Sequence, residues 1–138
     1  MEVVPVLESA QARGFDEVIL LNERGEVAEC TSANIFAAYG SQVRTPPLSS
    51  GCLPGITREV LMEEIRATGI EIVEKSLTPA ELESADEVFI TSTTRNLLPV
   101  FRIEGRKIGL GERTRQALQK EFSAYVQRYV AERKRATA

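Results

Sequence analysis

Three segments carry residues able to do chemistry. Glu29 stands in the run Val27-Ala-Glu-Cys-Thr-Ser-Ala-Asn34-Ile-Phe36, a carboxylate between two apolar stretches. Burying such a group is costly unless a cation or a hydrogen-bond donor meets it, and a protonated heteroaromatic nitrogen would be such a partner. A turn carboxylate satisfied by hydroxyls or water fits the same letters. The second segment is Gly51-Cys-Leu-Pro-Gly55-Ile-Thr-Arg58, a loop of small residues that runs into a helix. At the helix start the amides of Ile56 and Thr57, with the Thr57 hydroxyl, offer an anion several aligned donors, and a phosphate would fit. No lysine precedes the hydroxyl residue and the spacing from Gly51 is wrong, so this is no Walker loop. An ordinary capped helix after a surface loop is the plainer alternative. The third is Thr91-Ser92-Thr93-Thr94, directly after a strand ending at Ile90. Strand ends in α/β folds gather ligands, although threonine is also simply a good strand former.

Composition narrows the chemistry. The chain of 138 residues suits one domain, and 43% hydrophobic with 27% charged residues is the balance of a soluble globular protein. It contains no histidine, which removes Ser-His-Asp triads, imidazole metal ligands and imidazole proton shuttles. Two cysteines are too few for a structural zinc site, and without a disulfide framework they suggest a reducing compartment, the cytoplasm. The longest aliphatic run, Val18 to Leu21, is far short of a membrane span, and the start lacks a signal pattern, so neither targeting nor anchoring is expected. Ten Lys and Arg face seventeen Asp and Glu before Glu112, against seven and three from Glu112 on. The basic end reads as a solvated helix face, since no aromatic interleaving or nucleic-acid motif accompanies it.

These residues need elements to position them. Pro5 to Arg13 reads as a short helix stopped by Gly14. Glu17 to Asn22 reads as a strand, Glu23-Arg-Gly-Glu26 as its turn, and Val27 to Glu29 as the return strand. Asn34 to Tyr39 and Gln42 to Thr45 flank a two-residue hairpin turn, Gly40-Ser41. A helix follows with Thr57 as N-cap, a mostly apolar stripe of Val60, Leu61, Glu64, Ile65 and Thr68, and Gly69 as terminator. Ile70 to Glu74 alternates like a strand. Thr78-Pro-Ala-Glu81 is a capping box with proline at the first helical position, predicting a short helix to about Ser84. Glu87 to Thr91 and Leu98 to Ile103 are further strands, the latter turning at Glu104 to Lys107. The last helix, from about Glu112, aligns Leu118, Phe122, Tyr125, Val126, Tyr129 and Val130 on one side. Interleaved helices and strands predict an α/β domain, and the hairpins make its sheet mixed.

In this order the segments resemble the class IV, or fold-type IV, pyridoxal-phosphate-dependent aminotransferases, the group that includes branched-chain and D-amino-acid aminotransferases and aminodeoxychorismate lyase. The matching pieces are Gly14-Phe-Asp-Glu-Val-Ile19, Glu29-Cys-Thr-Ser-Ala-Asn34-Ile-Phe36, Leu53-Pro-Gly-Ile-Thr-Arg58, and Thr91-Ser-Thr-Thr94 followed by Leu98-Pro-Val100. The likeness runs from about Pro5 to Lys107. It implies the larger C-terminal domain of that fold, a barrel-like mixed sheet flanked by helices, and pyridoxal 5′-phosphate as cofactor. Glu29 would bind the pyridine nitrogen and keep it protonated, Ile56 and Thr57 would hold the phosphate with Thr93 and Ser92 closing on it, and Leu53 would pack on the ring. Ser32 would line the site and Asn34 brace it, while Thr94 and Arg95 are the candidates for meeting substrate.

The resemblance also implies a lysine that forms a Schiff base with the cofactor and shuttles the substrate proton. In the family it lies before the helix leading into the first strand aligned here, a few residues upstream of Met1. Lys75, Lys107, Lys120 and Lys134 all stand elsewhere. The chain therefore reads as the C-terminal, cofactor-binding domain of a larger enzyme, inactive alone, without the smaller N-terminal domain. Amino transfer between an amino acid and a 2-oxo acid is the implied reaction. A lyase of the aminodeoxychorismate type and a non-catalytic binding or assembly module are the alternatives. The expected partners are the small-molecule substrates and a second copy in a homodimer, with no nucleic acid or membrane. Borohydride treatment of the chain with pyridoxal 5′-phosphate should leave no stoichiometric pyridoxyl adduct on any of the four lysines, as read by mass spectrometry.

Overall fold

The computed structural model describes residues 2–4, 17–30, 33–91, 97–103, 106–109 and 111–137. The expected opening helix over Pro5 to Arg13 and its Gly14 stop lie outside them. The mixed α/β class expected from the sequence is what forms, as two five-stranded sheets. One has the order β10-β9-β1-β2-β3, with β1 at Glu2–Val4, β2 at Glu17–Leu21, β3 at Val27–Cys30, β9 at Arg102–Ile103 and β10 at Arg106–Lys107. The other has the order β6-β5-β4-β7-β8, with β4 at Asn34–Tyr39, β5 at Gln42–Thr45, β6 at Glu71–Glu74, β7 at Glu87–Thr91 and β8 at Leu97–Val100. Helix α1 (Ile56–Glu63) links the parallel neighbours β5 and β6, α2 (Pro79–Glu83) precedes β7, and α3 (Arg113–Thr137) closes the described chain.

The second sheet is the frame. Its central strands β4 and β7 are buried on both faces, which explains why Asn34-Ile-Phe-Ala-Ala-Tyr39 reads as a continuous apolar run. Ile35, Ala37, Val88 and Ile90 face a core shared with Ile19, Val27 and Cys30 of the first sheet and with Leu77 and Leu82 beside and on α2. Phe36 and Phe89, one residue out of phase, face the other way toward Leu61 and Ile65 of the α1 segment and Leu118 and Phe122 of α3. These two phenylalanines are cross-strand partners whose rings stack at 5.3 Å and 2°. The α3 stripe is covered only in its first half: Leu118 and Phe122 are buried, whereas Tyr129 and Val130 are exposed.

Two expectations are corrected. Helix α1 ends at Glu63 rather than near Gly69, because the amides of both Glu64 and Ile65 turn onto the Val60 carbonyl. The Arg66 guanidinium, 2.9 Å from the Ile65 carbonyl, then satisfies the chain end while Ile65 stays buried. The strand expected over Leu98 to Ile103 is two strands in different sheets. Edge strand β8 tolerates Pro99, and at Phe101 the chain crosses to pair beside β1. The last helix opens at Arg113, where the sequence places it, with its first-turn amides met by a residue distant in sequence.

That residue is Glu87, a buried carboxylate at the start of β7 whose oxygens accept from the amides of Thr114, at 2.9 Å, and Arg115, at 3.0 Å. A carboxylate at a helix N-terminus gains from both the orphan amides and the helix dipole. The approach requires Gly109, where a Cβ would stand 2.2 Å from the Ala85 carbonyl oxygen. The Thr78 box forms as the sequence predicts, with the side chain accepting from the Glu81 amide and Glu81 reaching back to the Thr78 amide. Glu87→Ala should lower stability by about 2 kcal/mol and Glu87→Gln by less, in urea unfolding followed by circular dichroism.

Candidate functional site

The site is assembled where strand ends gather. Strands β3 and β4 meet at a corner closed by pairing between Cys30 and Ala33, with Glu29 just before it and Asn34 just after. Asn34 opens β4 beside Thr91 at the end of β7, and Thr91 pairs in turn with Leu97 at the start of β8. Strand β5 ends close by at Thr45, whose buried hydroxyl donates to the Ile35 carbonyl at 2.8 Å. The segment from Pro46 to Gly55 crosses this end of the sheet and delivers the chain to α1.

That crossing is pinned residue by residue. Asn22, in the turn after β2, donates to the Ser50 carbonyl at 3.2 Å, and Arg24 to the Ser49 carbonyl at 3.3 Å. The Leu53 amide donates to a Glu29 carboxylate oxygen. The Leu53 carbonyl accepts from the Asn34 carboxamide and from the Gly55 amide, each at 2.9 Å. Leu53 and Ile56 are three residues apart, so their amides are separated by at most about 11 Å. One molecule of modest size can therefore touch both the Glu29 carboxylate and the first amides of α1.

Helix α1 starts without a side-chain cap, with Gly55 at the cap position. Thr57, expected as the N-cap, is instead the second helical residue. The extended Gly55 already presents its carbonyl to the Glu59 amide at 3.0 Å, which moves the helix start two residues earlier. This leaves the amides of Ile56, Thr57 and Arg58 without intrahelical acceptors and aimed out of the N-terminus, the arrangement that favours an anion. Arg58 adds no charge there. Its side chain is buried and holds the Pro46 carbonyl and Glu74, each at 3.1 Å, which fastens the first turn of α1 to β6 and to the residue after β5. Beside the amides, Leu53 is 70% and Ile56 82% exposed, large apolar side chains that a ring or another apolar surface would cover.

Glu29, Leu53, Ile56 and Thr57 are thus brought together by one loop. Ser32, Ser92, Thr93, Thr94 and Arg95 lie outside the described residues. Of the four lysines, Lys75 directly follows β6 with its amide donating to the Thr45 carbonyl at 2.9 Å, Lys107 is in β10, and Lys120 and Lys134 are on α3. Sequence reasoning placed Asn34 as a brace but missed that it fills the space a Gly55 side chain would need. It also missed Arg58 as a buried anchor; the one signal was a lone arginine among apolar helix positions. Among the described residues no helix is long and apolar enough to cross a membrane, and no group of three His, Cys, Asp or Glu could hold a metal.

The donor set suits pyridoxal 5′-phosphate: aligned amides for a dianion, an acceptor for a protonated ring nitrogen, and apolar faces between. A family model described as amino-transferase class IV matches residues 1–103. The chain is 37% identical over 118 residues to a branched-chain-amino-acid aminotransferase of Pseudomonas aeruginosa, covering 84% of this chain and 38% of the relative. It is 40% identical over 108 residues to a D-alanine aminotransferase of Bacillus licheniformis, covering 78% of this chain and 38% of the relative. Among solved structures, the branched-chain amino acid aminotransferase of Thermobaculum terrenum in its PLP form superposes with a TM-score of 0.76 at 30% identity, over 86% of this chain and 40% of that one. The chain spans about two fifths of the length of the proteins it matches.

Cys52, just before Leu53, reports on this environment. It is buried, with its sulfur 3.6 Å from the carbonyl oxygens of Pro46 and Pro47. Burial pushes its thiol above the ordinary range, a rise opposed by the Arg58 charge and reinforced by Glu29. A raised pKa means less thiolate at pH 8, so iodoacetamide should modify Cys52 far more slowly than free cysteine. Unfolding in urea should restore the ordinary rate, as read by peptide mass spectrometry.

Proposed function

This chain belongs to the amino-transferase class IV family, and from that membership we propose that it is the C-terminal, cofactor-binding domain of a longer enzyme. The enzyme would transfer an amino group between an amino acid of branched-chain or D type and a 2-oxo acid, with pyridoxal 5′-phosphate as carrier. The observation that carries this reading is the single loop from Leu53 to Thr57, which sets the Glu29 carboxylate and the uncapped start of α1 within reach of one small molecule.

In this reading Ile56 and Thr57 give their amides, and Thr57 its hydroxyl, to the phosphate, with Ser92 and Thr93 completing the grip. Among the described residues the Leu53 amide is the hydrogen-bond partner of Glu29. A second carboxylate lone pair then serves the ring N–H and keeps that proton in place. The bound cofactor supplies an electron sink for the pair left when a substrate loses its α-proton. Leu53 packs on the ring and excludes water with Ile56, which strengthens the Glu29 contact by lowering the local dielectric. Ser32 lines the pocket, and Thr94 and Arg95 serve the substrate side, where a guanidinium suits a carboxylate.

The lysine that handles the substrate proton is assigned to a segment of the whole enzyme preceding this domain. Two buried cysteines suit a reducing, cytoplasmic setting, and the exposed Tyr129 and Val130 of α3 supply apolar surface for a homodimer. Titration of the chain with pyridoxal 5′-phosphate, followed by the absorbance of the coenzyme, should show reversible, non-covalent binding. Glu29→Gln and Thr57→Ala should each weaken it by about tenfold, and Thr57→Ala should have no effect on pyridoxal, which lacks the phosphate. Equal binding of pyridoxal and its phosphate by all three proteins would refute the reading. The complete gene product should transfer amino groups to a 2-oxo acid acceptor from a branched-chain or D-amino acid donor.

A further inference from the structure

Asn34 is only 7% exposed, and its carboxamide is used in two ways at once. The Nδ2 donates to the Leu53 carbonyl at 2.9 Å, and the Oδ1 lies where a Cβ on Gly55 would be, 2.3 Å away. Residues 53 and 55 are thus fixed from one side chain, Leu53 by attraction and Gly55 by contact. The Gly55 amide closes the same turn onto the Leu53 carbonyl, and the Leu53 amide belongs to Glu29. Asn34 itself does not move freely, since its backbone is paired to Thr91 in the central strands of the second sheet.

We propose that Asn34 is a positioning residue that locks the Leu53–Gly55 turn, so that the Glu29 carboxylate and the first amides of α1 are held as one rigid unit rather than as two independent contacts. The inference rests on the reading of the site given above for its ligand, but the lock itself is a property of the free chain. Without the carboxamide the Leu53 carbonyl loses its anchor to the sheet, and the turn samples positions in which Glu29 and α1 are no longer set for the same molecule. Affinity then falls by the fraction of time the turn is out of place.

Amide hydrogen exchange of the ligand-free chain, read by NMR, tests the lock directly. Asn34→Ala should speed exchange at the Leu53 and Gly55 amides by about tenfold or more while leaving Phe36 to Ala38 unchanged, the internal check that the sheet is folded. Asn34→Asp keeps the shape but has no donor at neutral pH, and should behave like Asn34→Ala. Gly55→Ala should loosen Leu53 in the native background but add little to Asn34→Ala, because removing the carboxamide makes room for the methyl group. Additive effects of the two substitutions, or an unchanged Leu53 amide in Asn34→Asp, would overturn the proposal. In titrations with pyridoxal 5′-phosphate, Asn34→Ala should weaken binding by about tenfold, and an unchanged affinity would overturn the positioning role. Failure of the native chain to bind the coenzyme would count against the proposed function alone, since the exchange comparison decides the lock without any ligand.

Discussion

The backbone of one residue carries the geometry of the candidate site. The N–H of Leu53 is held by Glu29 at the end of β3, and its C=O by Asn34 at the start of β4. These two side chains stand on either side of the corner where the chain passes from one sheet to the other. The loop is thereby tied to both sheets at a single residue, and α1 begins three residues later. Each of these hydrogen bonds contributes on the order of 1 kcal/mol net. Their combined effect on geometry is larger than that figure suggests, because each removes a different freedom of the same short segment.

The frame behind that residue is stiff for a separate reason. β4 and β7 bury both faces, so a shift of either by one residue would exchange the two cores: Ile35 and Ile90 would turn toward the helices, and Phe36 and Phe89 toward the first sheet. Glu87 extends this stiffness to α3 by holding its first amides from the opposite end of β7. Strand β7 thus anchors a helix at its beginning and meets Asn34 at its end, which separates the structural cap from the ligand-facing edge on one strand.

Much of the frame was legible in the sequence. Both hairpins, the capping box at Thr78 and the apolar stripe of the last helix are local codes, written within a few residues and enforced by backbone sterics, alternation or short-range hydrogen bonds. Errors fell where distant parts of the chain decide. Thr57 has the composition of a cap, yet Gly55 takes that place because its contact with Asn34 excludes any side chain and its carbonyl reaches Glu59. Residues Leu98 to Ile103 look like one strand, but the first sheet claims the last two of them as partners of β1. The burial of the arginine at position 58 depends on Pro46 and Glu74, distant residues that accept from its guanidinium.

The sequence alone determined the class of the fold, the family resemblance and the residue types able to hold a phosphate and a protonated ring, because these follow from chemistry carried by single residues and their local order. It also excluded imidazole chemistry from this chain's own side chains. The resemblance implied that Glu29 and the start of α1 serve one molecule, and tertiary structure decided that one loop sets them within reach of each other. That fact depends on a contact between residues 29 and 53 and another between 34 and 53, bridging two sheets. Hydrogen bonds across such separations are selected by the packing of the whole chain, and no local pattern encodes them.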